Sequence, residues 1–239
     1  MHSTVVQIEL GRLVWMLLPV AGVVWLLTRQ GMEGRGLLYA LGRMLLQLLL
    51  IGYVLIAIFH AHSPWIVLGV LGVMLGFSSW IALRTVPERR MRLLGYALGA
   101  IALGGGTSLA LVTQGVLGLD PWYRPDYMIP LAGMVFANAM NSVALASERY
   151  YAERRRELEA SEASREAVSA SMIPVVNALL AVGLVSLPGM MTGQILSGVS
   201  PLVASRYQIL VMVMIFVSAG LSVSIFLALL RKREEPSSH

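Results

Sequence analysis

Long apolar runs separated by short polar gaps dominate the chain. Seven of these runs come close to, or exceed, the roughly 20 apolar residues that a membrane-spanning helix requires. The runs cover residues 10–28, 37–59, 65–83, 93–117, 128–147, 172–188 and 207–230. The pattern predicts an all-α, polytopic integral membrane protein with a single transmembrane domain over residues 1–239.

Composition supports the membrane class. Of the 239 residues, 57% are hydrophobic and 13% are charged, whereas about 25% of the residues of an ordinary soluble domain are charged. The chain has no cysteine, which excludes disulfides and thiolate metal sites.

The basic residues alternate by side along the chain. The first, third and fifth gaps, the C-terminal tail and Arg43 hold 15 of the 18 Lys and Arg residues, and Arg12, Arg124 and Arg206 lie on the other side. By the positive-inside rule, this distribution predicts an N-terminus outside and a C-terminus in the cytoplasm. Seven spans agree, because an odd number places the two ends on opposite sides.

The fifth gap is the longest charged stretch. Residues 148–171 contain no Gly or Pro and are rich in good helix formers, so we interpret them as a cytoplasmic helix that continues the fifth span. As a docking element for a cytoplasmic protein, it would offer Arg154, Arg155, Arg156, Glu157 and Glu162. The alternative is a solvated linker helix without a partner.

Two glycine pairs lie at the spacing at which small residues let membrane helices approach closely. They are Gly72/Gly76 in the third span and Gly95/Gly99 in the fourth, and we interpret them as helix-packing positions. The run Gly104–Gly106 could also break the fourth span locally.

Ionisable residues avoid the predicted membrane core. All 13 acids and all four histidines fall at or beyond the ends of the spans, which disfavours a proton-coupled transporter and an intramembrane hydrolase. The only lysine is Lys232, so the chain has no P-loop. If transport is driven by ATP, the ATP must be bound by a partner subunit, and we expect this chain to bind no cofactor.

Asn138 and Asn141 are three residues apart in the fifth span and share one helix face. They could form hydrogen bonds between helices or line a transport path, and the residues alone do not decide between these roles.

The stretch VSLPGMMTGQILSGVSP (185–201) interrupts the apolar pattern. The sixth span reaches Pro188 only about 14 residues after Pro174, too few to cross a core of about 30 Å. We therefore predict a broken or re-entrant element that lines a translocation path near the outer side. Gly189 and Gly193 would permit its unusual backbone, and its path-lining residues would be Met190, Met191, Thr192 and Gln194. The alternative is an outer loop.

Several stretches resemble the Fet-type iron-export permeases, a family whose plant relatives are linked to aluminium tolerance. They are RMLLQLLLIGYVL (43–55), GGGTSLALVTQG (104–115), YMIPLAGMVFANAMNSVALASER (127–149) and VGLVSLPGMMTGQILSGVSP (182–201). The resemblance covers nearly the whole chain. Unlike that family, this chain has a short segment before the sixth span, with no glycine between Gly133 and Gly183.

The resemblance implies the permease subunit of an ABC transporter in the bacterial cytoplasmic membrane. Its partners would be a cytoplasmic ATPase, a second copy of the permease, membrane lipid and an exported metal ion, iron, with no nucleic acid. Thioether sulfur prefers metals softer than Fe³⁺, so the methionines do not by themselves indicate iron. An ATP-independent channel and a regulatory membrane scaffold are the alternatives.

Overall fold

The computed structural model describes residues 9–59 and 63–234, which leaves all four histidines outside the described ranges. The described residues form eight α-helices, short helical turns of other pitch and one isolated backbone bridge between Val182 and Ser186. The α-helices are α1 (Leu17–Arg29), α2 (Gly34–Phe59), α3 (Pro64–Ala82), α4 (Arg90–Ala110), α5 (Pro125–Arg154), α6 (Ala160–Ala181), α7 (Gly189–Leu196) and α8 (Pro201–Glu234). The other helical turns are 3-10 segments at Leu10–Met16, Leu83–Thr85 and Pro87–Arg89 and a π-helical turn at Leu111–Val116.

Six helical segments in the described ranges are long and apolar enough to cross a membrane. They are Gly11–Arg29, Gly34–Ile56, Pro64–Thr85, Pro87–Val116, Pro125–Arg154 and Pro201–Arg233. They correspond to six of the seven predicted spans and confirm the all-α, polytopic class.

The sixth predicted span, 172–188, does not form one helix. Its residues up to Ala181 belong to α6, which begins earlier, within the charged segment. The backbone then leaves the helical region at Val182, with ψ of 132°, and Gly183 has a φ of +83°. The helix that contains the sixth apolar run is therefore charged in its first half and ends before the run does.

Proline starts several of these helices. Pro64, Pro125 and Pro201 are the first residues of α3, α5 and α8, a position where the missing backbone N–H costs no intrahelical hydrogen bond. Because proline also fixes φ near the helical value, these residues define where the chain re-enters a helix after each turn.

The chain divides into two compact units, one up to residue 62 and one from Ser63 onward. The first contains α1 and α2, and none of the 13 residues of α1, all of them described, is buried. The second contains α3 to α8. In it, α8 packs against α4, α5, α6 and α7, and α3 packs against α4 and α5.

Helices α4 and α8 approach each other closely in the second unit. A Cβ atom added at Gly104 would lie 2.6 Å from the backbone nitrogen of Ser222, so only glycine fits there. Nearby, the Ser108 hydroxyl donates a hydrogen bond of 2.9 Å to the Met214 carbonyl oxygen. Small residues and an interhelical hydrogen bond therefore hold this pair together, as is usual between helices in lipid.

The four glycines predicted to pack helices do not do so among the described residues. A Cβ atom at Gly72, Gly76, Gly95 or Gly99 would have no atom within 4 Å. Gly104 and Gly105 do meet neighbouring helices at close range, because they face α8 and α5. Gly133 and Gly220 lie in ordinary contact with methionine side chains of α3 and α6, at 3.5 and 3.9 Å. The predicted break at Gly104–Gly106 is also absent from the described helix α4, which continues to Ala110.

The predicted continuous helix over 148–171 is wrong, because a turn divides it. α5 ends at Arg154 and α6 begins at Ala160. The Leu158 N–H donates to the Glu153 carbonyl oxygen and the Glu157 N–H to that of Arg154, the bonding pattern of a Schellman cap. Glu157 takes the left-handed conformation with φ of +65°. Because glycine usually holds that position, no residue in this stretch of the sequence indicates a turn.

Candidate functional site

The end of α6 is shaped by one carbonyl group. The backbone N–H groups of Leu184, Val185 and Ser186 all donate to the Ala181 carbonyl oxygen. The chain thereby folds into a tight turn at Gly183 instead of continuing the helix. Gly198, with φ of +94°, makes the corresponding turn between α7 and α8. Glycine accepts these φ values without the clash that a Cβ would cause.

The residues that allow the break are thus Gly183 and Gly198. We expected Gly189 and Gly193, but both lie in the regular helix α7. The broken element itself is present in the structure, as α6, a turn, the eight-residue helix α7 and a second turn.

The turn before α7 carries exposed apolar side chains. Leu184 is 90% exposed, Val185 85% and Leu187 62%. Exposure of three neighbouring aliphatic side chains is unfavourable in water and favourable against lipid or another protein.

The position of α7 along the bundle follows from the lengths of α5 and α6. A five-residue turn joins them and they pack side by side, so they are antiparallel. At 1.5 Å per residue, α5 is about 45 Å long and α6 about 33 Å, from their 30 and 22 residues. α6 therefore ends about 12 Å short of the start of α5, and the turn and α7 occupy that level.

A cavity of about 200 Å³ lies at this level, between α7 and the first turns of α5 and α8. The polar and sulfur-containing side chains that line it are Asp126, Tyr127, Met190, Gln194 and Tyr207. Leu117, Pro130, Leu131, Leu210 and Val211 complete the wall. The cavity thus combines a carboxylate, an amide, two phenols and a thioether with an apolar wall.

The polar groups of the cavity differ in their partners. The Gln194 Oε1 atom is buried and has no hydrogen-bond partner among the described residues. The Asp126 carboxylate pairs with Arg124, at 2.6 Å from Oδ2 to Nη2. This hydrogen bond raises the pKa of the Arg124 guanidinium above its usual value, and the Asp126 charge acts in the same direction.

Only part of the predicted path lines this cavity. Met190 and Gln194 do, and they are one helical turn apart on α7. Met191 and Thr192 are half-buried on the same helix, and the Thr192 hydroxyl donates back to the Pro188 carbonyl oxygen at 3.2 Å.

Asn138 and Asn141 lie deeper along α5. Asn138 is eight residues after Pro130, about 12 Å along the helix, and its Nδ2 donates to the Met134 carbonyl oxygen at 2.8 Å. Asn141 is exposed in this chain. The structure therefore does not bring the two asparagines together with α7 in one cavity.

Asp126, Tyr127 and Tyr207 were not predicted as site residues. In the sequence they look like loop or interface residues, because each stands within a few residues of a helix start. The available signal was topological: α5 and α8 both begin on the side where the broken element was expected.

A second candidate region lies at the opposite end of α5. A cleft of about 620 Å³ is bounded by residues 85–89 of the α3–α4 connection and by the end of α5. Arg89 stacks on the Tyr151 ring at 4.3 Å from the ring centroid, a cation–π contact. Arg154 and Arg155 line the same cleft, so its surface is basic with an aromatic floor.

The remaining predicted docking residues do not line this cleft. Arg156 pairs with Glu153 at 3.5 Å, Glu157 forms the left-handed turn, and Glu162 is exposed in the first turn of α6.

The end of α5 is braced by a buried carboxylate. The Glu153 side chain is only 4% exposed and pairs with Arg149 at 2.8 Å as well as with Arg156. Arg149 also lies 3.8 Å from Glu166 on α6. A buried charge needs such partners, so this network fixes the α5–α6 hairpin beside the cleft.

No group of three or more His, Cys, Asp or Glu residues that could hold a metal ion occurs within the described residues. A high-affinity resident metal centre of the usual ligand set is therefore not seen in these ranges.

Comparison with known proteins gives a consistent result. The model of the uncharacterised protein family UPF0014 matches residues 10–234. A UPF0014 membrane protein of Synechocystis is 38% identical over 93% of this chain and 92% of its own length. No solved structure matches the chain.

Two further relatives have more specific names. The Escherichia coli protein named "Probable iron export permease protein FetB" is 32% identical over 86% of this chain and 83% of its own length. The Arabidopsis thaliana protein named "Protein ALUMINUM SENSITIVE 3" is 32% identical over 80% of this chain and 74% of its own length.

Proposed function

Because this chain belongs to the UPF0014 family of membrane proteins, we propose that it is the permease subunit of an ABC transporter that exports a metal ion, iron, from the bacterial cytoplasm. The observation that carries the proposal is the similarity to FetB, which extends over most of both chains. The polytopic fold agrees with the name permease that this relative bears.

The energy source would be a separate ATPase. The chain has a single lysine, Lys232, near the end of α8, and a P-loop requires a lysine after its glycines. In this proposal the present chain binds no cofactor, and ATP is bound and hydrolysed by a cytoplasmic partner. Two copies of the permease would complete the membrane part.

The orientation follows from charge. The basic segments 84–92, 149–156 and 231–233 would face the cytoplasm, and the cavity beside α7 would face the outside. Asp126 and Arg149 are 23 residues apart on α5, about 35 Å, which is enough to span a hydrocarbon core of about 30 Å. The cavity would then lie at the outer boundary of that core.

The orientation can be tested with introduced cysteines, since the natural chain has none. In intact cells, an impermeant thiol reagent should label Ser63→Cys and leave Ser161→Cys unlabelled. Labelling of Ser161→Cys in intact cells would contradict the proposed orientation.

The basic cleft is the proposed docking surface for the ATPase. Arg154 and Arg155 line it and are exposed, so carboxylates of a partner can reach both side chains. The Arg154 guanidinium also donates to the Leu158 carbonyl oxygen at 2.8 Å. Changing both to Glu should weaken co-purification of the ATPase at least 10-fold without unfolding the helices, because both side chains lie in water.

A matched control is Arg84→Glu. Arg84 is exposed at the same end of the bundle and does not line the cleft, so its reversal should leave the complex intact. Equal loss of the complex in both variants would indicate a general charge effect, and no loss in either would leave 148–171 as a solvated linker.

The function itself is tested by reconstitution. The permease would be co-expressed with a candidate ABC ATPase from the same organism, purified as a complex and placed in liposomes. We expect Fe²⁺ to stimulate ATP hydrolysis by this complex. Passage of Fe²⁺ through the permease alone would instead indicate a channel, and a complex without stimulation would contradict the export proposal.

A further inference from the structure

The cavity beside α7 contains one carboxylate among the described residues that line it, that of Asp126. Its partner is Arg124, two residues earlier, at the N-terminal boundary of α5. The guanidinium also stacks on the ring of Tyr127, at 4.7 Å from the ring centroid. The single negative charge of the cavity is thus neutralised by a cation that belongs to the chain itself.

Another cation can replace Arg124 in this ion pair. The Arg124 and Asp126 side chains are 42% and 43% exposed, so water and salt screen their attraction. Arg124 is not among the residues that line the cavity, so its guanidinium can turn toward water when the pair opens. A divalent cation that enters the cavity would attract the Asp126 carboxylate more strongly than the singly charged guanidinium does.

The opposite wall offers further ligand atoms. Met190 and Gln194 are four residues apart and therefore share one face of α7. The buried Gln194 Oε1 atom has no hydrogen-bond partner among the described residues. This acceptor can therefore bind a ligand that donates a hydrogen bond or carries a positive charge. Tyr207 is a third oxygen-bearing side chain among the lining residues of these helices.

The size and chemistry of the cavity select the class of ligand. A volume of about 200 Å³ holds a cation with several water molecules, because one water occupies about 30 Å³. Mg²⁺ and Ca²⁺ prefer ligand sets made of oxygen alone. The combination of one carboxylate, neutral oxygens and a thioether instead suits a divalent transition metal held partly by water.

We propose that this cavity is the exit site of the transported divalent metal ion, and that the ion binds by replacing Arg124 as the partner of Asp126. The inference rests on the proposed function. Arg124 would act as an internal competitor that recovers the carboxylate when the ion leaves. Weak binding is what release requires, since a transport site must also let its ion go.

The test measures binding of Mn²⁺ to the purified permease in lipid nanodiscs, without the ATPase, by electron paramagnetic resonance. Asp126→Asn should weaken Mn²⁺ binding at least 10-fold, and Gln194→Leu should weaken it less. Arg124→Gln removes the competitor and should tighten Mn²⁺ binding by about 10-fold. Fe²⁺ should displace bound Mn²⁺, whereas Mg²⁺ at the same concentration should not.

The control variant is Asp120→Asn, which removes an exposed carboxylate from the loop that precedes α5 without changing the cavity lining. It should bind Mn²⁺ like the wild type. Wild-type binding by Asp126→Asn, or weaker binding by Arg124→Gln, would overturn the proposed site.

The two proposals can fail separately. ATP-driven Fe²⁺ export that persists in full in Asp126→Asn would overturn the exit site and leave the transporter standing. Mn²⁺ binding that depends on Asp126 in a permease that never stimulates an ATPase would support the site and contradict the transporter.

Discussion

The seam between α4 and α8 and the break between α6 and α8 use glycine in opposite ways. At the seam, Gly104 lies in a continuous helix and allows a neighbouring backbone to approach. At the break, Gly183 and Gly198 have positive φ and open space around them. The first use fixes two helices together, and the second interrupts a helix so that a short piece, α7, can line a cavity.

Because the two regions use glycine differently, we expect substitutions in them to affect different properties, stability in one and transport in the other. Changes at the seam should alter folding of the second unit. Changes at the break should alter movement of the substrate while the helices stay assembled.

The largest effect is expected from Gly104→Ala. Its Cβ would lie 2.6 Å from the Ser222 backbone nitrogen, and overpacking of this kind typically costs about 1–3 kcal/mol. The free energy of unfolding should fall by that amount or more, measured as a lower Tm of the purified permease in detergent. Gly99→Ala is the control on the same helix, where a Cβ meets no described atom within 4 Å. An equal Tm for both variants would contradict the assignment of the seam.

A smaller and different effect is expected from Gly183→Ala. Its φ of +83° disfavours any residue with a Cβ, at a cost of about 1–2 kcal/mol, although no described atom lies within 4 Å of the added carbon. ATP-driven metal transport should therefore fall several-fold while the ATPase still co-purifies. Gly193→Ala is the matched control, because Gly193 is helical and its Cβ position is also open. Equal transport by the two variants would show that the turn at Gly183 does not matter.

The sequence allowed the class of fold to be predicted because lipid imposes long apolar helices. It also indicated an interruption within 185–201, since Pro188 and the polar residues after it cannot continue a lipid-facing helix. In the structure the helix ends earlier, at Ala181, and the turn forms at Gly183. The positions of the individual glycines were not predictable, because spacing does not reveal which face of a helix meets a neighbour. Gly72 and Gly104 look alike in sequence, and only Gly104 meets a backbone.

Only the part of the candidate site that lies on α7 was predicted from the sequence. Met190 and Gln194 lie within the conspicuous segment, whereas Asp126 and Tyr207 come from the starts of two other helices. Their proximity depends on the level at which α6 ends, and that level depends on the turn at Glu157. A left-handed glutamate in a run of good helix formers carries no recognisable signal, so the hairpin and the cavity followed only from the structure.

The most direct test of the account is ATP-dependent uptake of Fe²⁺ by inside-out membrane vesicles that contain the permease and its ATPase. The wild type is compared with the double variant Met190→Ala/Gln194→Ala, at matched amounts of the co-purified complex. The account predicts uptake that requires ATP in the wild type and at least a 10-fold lower rate in the double variant. Uptake by the wild type that is independent of ATP, or equal rates for the two proteins, would contradict it.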